Sequence, residues 1–147
     1  MNRFANSILA ALIGVCAPLG LASTTQAADL PGYVGSEDPG VCGQPWVLNK
    51  ITSRFRHQVR HVPNLPNVEI TDFRRIHQSR YLPAQDNWPT GRRYCGATVA
   101  LSDGHDRNIW YLIEEGQGFA SVGDNVEFCV DGFDRWMVYN GHCRVLR

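Results

Sequence analysis

Leu48, Ile51, Phe55, Val59 and Val62 return every three or four positions, while Lys50, Arg54, His57 and His61 fall between them as a contrasting stripe. That spacing predicts an amphipathic helix with one apolar face and one basic one. Pro45 suits its first turn, where a missing amide hydrogen costs nothing, and Pro63 and Pro66 end it. Beyond them the period shortens to two. Val68 to Ile76 and Gln78 to Leu82 read as one long bent strand or two pieces, and Tyr94 to Leu101 places Cys95, Ala97, Val99 and Leu101 on one side of a clearer strand. Asp103 and Gly104 make a turn before a strand at Asn108 to Ile113. Val126 to Val130 and Arg135 to Tyr139 then flank a turn at residues 131–134, and Asn140 and Gly141 mark another before the basic tail.

A helix with one apolar face and strands with alternating faces each need a partner to bury that surface. The expected fold class is therefore α+β: one long N-terminal helix packed on a four- or five-stranded antiparallel meander. Its element order is similar to a cystatin-like or NTF2-like roll, with a small β-barrel carrying one terminal helix as the alternative.

Ahead of the helix the pattern changes twice. Residues 1–27 have the layout of a cleaved secretory signal peptide, with Arg3 supplying positive charge, an uncharged apolar run from Ile8 to Leu21, and small Thr25 and Ala27 before the cut; cleavage after Ala28 is the neighbouring option. The run is too short to span a bilayer, and nothing downstream replaces it. Ile13, Gly14 and Val15 make a poor lipidation motif before Cys16. Pro31, Gly32, Gly35, Pro39, Gly40 and Gly43 punctuate residues 28–43 too often for a regular element. Residues 44–147 are left as a single domain, of a size that supports one core.

Export makes the chain periplasmic or secreted and gives the remaining cysteines, Cys42, Cys95, Cys129 and Cys143, a structural meaning. Four cysteines allow three pairings. The expected one joins Cys42 to Cys95, tying the helix start to the sheet, and Cys129 to Cys143, closing the end of the chain. There is no CxxC pair or compact Cys/His cluster for a metal, and no cofactor motif.

The charges nearly cancel: 14 Lys and Arg stand against 14 Asp and Glu, and the leader removes only Arg3. Local excess is more informative. Lys50, Arg54, Arg56, Arg60, Arg74, Arg75, Arg80, Arg92 and Arg93 face only Glu69, Asp72 and Asp86 within one stretch. Arg54, Arg56, Arg60, His57 and His61 are the candidate binding face, suited to an envelope protein, an anionic glycan or a lipid headgroup. No nucleic-acid module is present, and nucleic acid is not an expected partner. Trp110 and Trp136 are the aromatic candidates for a groove or interface. His57 and His61 have i, i+4 metal spacing but lack further ligands and an HExxH pattern. Asp103 and His105 are the weak acid–base candidates beside Ser102, without a GxSxG motif. Glu114, Glu115, Asp124, Asp131 and Asp134 read as loop and turn acids without EF-hand spacing.

Four segments, RYCGATVALSDG, IWYLIEEGQGFA, VEFCVDGFDRW and NGHC, together with the CGQPW helix start, carry a resemblance. In these the chain resembles small exported, generally uncharacterised proteins of alphaproteobacteria. The resemblance implies an exported, disulfide-containing domain and transfers no catalytic residue. The expected function is a binding or protein-interaction module of the cell envelope. The alternative is a small periplasmic hydrolase or isomerase-like enzyme with a pocket between helix and sheet.

Overall fold

The computed structural model describes residues 40–147. The leader expected over residues 1–27, and all but the last part of the irregular segment over 28–43, lie outside the described residues. A 3-10 turn, Gly40–Gly43, leads into helix α1, Pro45–His61, whose 17 residues begin with proline in the first turn, as the sequence predicts. The helix is therefore the second described element and of ordinary rather than great length. Val62 donates its amide to the Gln58 carbonyl, and Asn64, in the left-handed region at φ 61°, turns the chain away between the two prolines.

Four strands follow: β1, Ile70–Leu82; β2, Arg92–Leu101; β3, Asp106–Glu114; and β4, Asn125–Val130. They pair antiparallel in chain order, so the sheet is an open meander with β1 and β4 as its edges rather than a barrel. β1 is continuous but irregular, with register shifts between Ile70 and Asp72, Arg74 and His77, and Gln78 and Arg80. The strand expected over Arg135 to Tyr139 does not form. That segment runs in turns, because Asp134 captures the amides that a fifth strand needs for its ladder.

The helix lies on one face of the sheet. Val47, Ile51, Phe55 and Val59 pack with Val99, Leu101, Ile109, Tyr111, Ile113 and Val126 into the main core. Leu48 and Val62, expected on the apolar face, are half-buried at its margins, and Val47 takes the central place. Burying one such side chain contributes roughly 1.5–3 kcal/mol. Phe55 meets Phe133 edge-on at 5.0 Å, a preferred aromatic geometry.

The opposite face of the sheet is covered at one end only. The 3-10 segment Gly141–Leu146 folds back there, and Leu112, Cys129, Cys143 and Leu146 form a second small cluster with Tyr94, Trp110 and Tyr139 at its margin. Both expected disulfides are present. Cys42–Cys95, with Cα atoms 5.9 Å apart, ties the turn before α1 to β2. Cys129–Cys143, with Cα atoms 5.6 Å apart, pins the C-terminal segment to β4 rather than closing a hairpin.

Candidate functional site

Lys50, Arg54 and Gln58 follow one another at four-residue spacing, which aligns them along one side of α1. That side faces the outer edge of β4. Lys50 Nζ donates to the Asp124 carbonyl at 2.8 Å, Arg54 Nη1 to the Val126 carbonyl at 2.6 Å, and Gln58 Nε2 to the Phe133 carbonyl at 3.0 Å. Two members of the expected basic stripe are thus spent on carbonyls that the sheet leaves unpaired.

The ladder fixes which groups those are. Asp131 donates its amide to Asn108, so the residues in step with Asp131, namely Asn125, Glu127 and Cys129, bond to β3, while Val126, Phe128 and Val130 turn their backbone groups outward. Arg54 takes the Val126 carbonyl and the Phe133 amide takes that of Val130. The backbone of Phe128 lies between them. It opens onto a cleft of about 300 Å³ walled by Arg54, Gln58, Phe128, Trp136, Val138 and Tyr139.

The far wall is a loop built by one carboxylate. Asp134 Oδ1 accepts the Val138 amide at 2.9 Å and Oδ2 the Tyr139 amide at 2.8 Å, while the Asp134 carbonyl accepts the Met137 amide at 3.1 Å. Met137 sits at φ 53°, in the left-handed region. The result is an apolar tripeptide held outward: Trp136, Met137 and Val138 are 65%, 69% and 67% exposed. Behind them burial raises the Tyr139 phenol above its ordinary value, helped by Glu127 and Asp134 and opposed by Arg54. The cleft therefore offers a cation, a phenol, a strand edge and aromatic walls within one small space.

The fold brings together only Arg54 and Trp136 of the expected binding residues. Arg56 is ion-paired with Glu69, and Arg60 is exposed and stands apart from the cleft. His57 and His61 are exposed and stack with ring centroids 3.9 Å apart, and His61 Nδ1 donates to the His57 carbonyl at 2.7 Å. Among the described residues no group of three or more His, Cys, Asp or Glu is placed to hold a metal ion. Trp110 lies on the other face of the sheet.

Asp103 and His105 occupy the exposed β2–β3 turn. Asp103 Oδ1 accepts the His105 amide at 3.0 Å, and this bond, more than the nearby imidazole 3.4 Å from Oδ2, holds the carboxyl below its ordinary value. This is the chemistry of a turn. The loop acids are also engaged: Glu114 with Arg92, Glu115 with Arg93, Asp131 with His142, and Asp124 with the Gly116 amide.

Tyr139, which follows Trp136 in the aromatic pattern of the last segment, lines the cleft with it, and Gln58 and Phe128 are cleft residues that the sequence reading did not single out. Gln58 carries a usable signal, since it continues the Lys50 and Arg54 row. Phe128 carries none, because the cleft it opens onto is made by the Asp134 turn. No family model, curated protein or solved structure matches this chain.

Proposed function

We propose that this is a small exported binding module of the cell envelope, periplasmic or secreted, and that an extended segment of a partner polypeptide seats in the cleft between α1, β4 and the 131–139 loop. The observation that carries this reading is the outward apolar tripeptide Trp136–Met137–Val138, fixed by Asp134 beside an outward-facing strand backbone. Solvent-exposed Trp and Met on an ordered loop are unfavourable without a partner and typical of contact surfaces. Phe128 supplies a backbone donor and acceptor for an added strand, and Arg54 and Tyr139 supply polar anchors for its side chains. Two disulfides suit an oxidising compartment and a scaffold that presents a fixed surface.

The enzymatic alternative has less to work with. The space between helix and sheet is filled by Ile51, Phe55, Ile109 and Tyr111, all fully buried, and His105 and Asp103 face solvent on a turn away from it. A displayed peptide library selected against the oxidised full chain tests the binding reading. Selected peptides are expected to shift the Phe128 amide and the Trp136 indole resonances, and Trp136→Ser or Arg54→Gln is expected to weaken them about tenfold or more. Peptides that map elsewhere, or that bind both variants unchanged, overturn it.

A further inference from the structure

On the face of the sheet opposite α1, directly paired residues bring basic and aromatic side chains together. Tyr94 packs with the second cluster on that face, so Gly96 and Thr98, two and four residues on, share it, as do their partners Trp110 and Asn108 on β3. From β1, His77 pairs with Gly96 and Arg80 with Tyr94. The irregularity between Arg74 and His77, with Arg75 at φ 53°, turns the Arg75 side chain onto this same face, where Nε and Nη2 donate to the buried Thr98 hydroxyl at 3.1 and 2.5 Å. Arg80 lies 3.8 Å over the Tyr94 ring, and Arg147 lies 4.6 Å over Trp110 from the C-terminal segment.

Between these walls runs a trough of about 310 Å³, floored by Gly96 and Thr98 and bounded by Arg75, His77, Asn108 and Trp110. That volume is at the lower end of what small ligands fill. Its groups are arranged for use. His77 Nδ1 donates to the Arg75 carbonyl at 2.9 Å, which leaves Nε2 as the ring's remaining polar atom. Glycine leaves the imidazole room to lie over the floor, since a Cβ at position 96 meets His77 Cε1 and Nε2 at 2.8 Å and would push the ring aside. Neither Arg75 nor Arg80 has a carboxylate partner among the described residues, whereas Arg74, Arg92 and Arg93 each do.

We infer that this trough binds an acidic oligosaccharide, with one carboxylate or sulfate held by Arg75, a later acidic group of the same chain reaching Arg80 beyond the trough over Tyr94, and a sugar ring lying against Trp110. The charge assigns the sign of the ligand. The rest assigns its class: Asn108, Thr98 and His77 Nε2 offer both donors and acceptors at close spacing, which suits ring hydroxyls, and the side of the trough away from the C-terminal segment leaves room for a chain to continue. The site is on the other side of the sheet from the polypeptide cleft and stands independently of it.

The test is nuclear magnetic resonance titration of the oxidised full chain with four probes: an oligogalacturonate, a sulfated galactan oligosaccharide that carries no carboxylate, a neutral malto-oligosaccharide and an oligodeoxythymidine. At least one acidic oligosaccharide is expected to shift Arg75, His77, Thr98, Asn108 and the Trp110 indole, and which of the two binds distinguishes carboxylate from sulfate. Arg75→Gln and Arg80→Gln, both exposed and free of structural ion pairs, are expected to weaken it about tenfold. Arg60→Gln, a charge-matched change on the helix, leaves it unaltered. The inference is overturned by absence of binding at millimolar probe, by equal losses in all three variants, by equal affinity for the neutral sugar, or by tighter binding of the oligodeoxythymidine.

Discussion

Tyr111 is fully buried, and burial raises its phenol well above the ordinary value of 10.0. Its hydroxyl donates to the Cys42 carbonyl at 2.8 Å, across from the first disulfide. Tyr111→Phe leaves that buried carbonyl without its donor and is expected to lower stability by about 1–2 kcal/mol in urea unfolding at neutral pH. The same group sets a pH dependence. Above the ordinary tyrosine range the unfolded chain releases a proton that the folded state keeps, so the stability tied to Tyr111 is whole below about pH 10 and declines as pH rises further. The gap between wild type and Tyr111→Phe should therefore narrow in alkaline solution, and a gap that stays constant to pH 11 counts against this account. At Gly96 the expectation is different in kind. Gly96→Ala displaces an exposed imidazole rather than a packed core group, so it should cost about 1 kcal/mol or less while moving the His77 resonances and abolishing sugar binding in the trough.

The elements differ in how directly their residues announce them. In α1 every buried residue is spaced for a helix, and Phe55 sits at the centre of that face against Phe133. Phe55→Ala is expected to cost about 3–5 kcal/mol, measured by urea unfolding. β2 and β3 were legible for the same reason, since alternation places Val99, Ile109, Tyr111 and Ile113 in one core. The segment after β4 was not. Arg135, Met137 and Tyr139 alternate like a strand, but the Asp134 carboxylate bonds the two amides that follow and diverts the chain into turns. Asp134→Ala should loosen the loop at a cost of about 1–2 kcal/mol and weaken any cleft ligand, read as faster amide exchange at Val138 and Tyr139. Among site residues, Arg54 is legible from the helix spacing, which Gln58 continues, and Trp136 and Trp110 as aromatics that the later strands and turns present. The partnership of Arg75, His77 and Arg80 with Thr98, Gly96 and Tyr94 depends on where β1 slips register. No local pattern in the sequence specifies that slip.

Across the whole molecule the two disulfides serve unequal cores. Cys42–Cys95 closes a separation of 53 residues and joins the large helix–sheet core, whereas Cys129–Cys143 closes 14 and anchors a cluster whose buried members, among the described residues, are Leu112, Cys129, Cys143 and Leu146. Loop-closure entropy assigns about 4 kcal/mol to the first and about 3 kcal/mol to the second. The local consequence runs the other way. Four buried residues are too few to hold a terminal segment without a covalent tie, while the main core keeps its helix and sheet through many apolar contacts. Replacing Cys42 and Cys95 by alanine should lower global unfolding stability the more, with protection falling throughout the chain together. Replacing Cys129 and Cys143 should lower it somewhat less but release residues 140–147 locally, withdrawing Arg147 from Trp110 and loosening the loop that walls the cleft. Native-state hydrogen exchange on the two double variants separates these outcomes. A C-terminal segment that stays as protected as β3 after loss of Cys129–Cys143 shows that packing alone holds it, and that Arg147 keeps its place over Trp110 without the second cross-link.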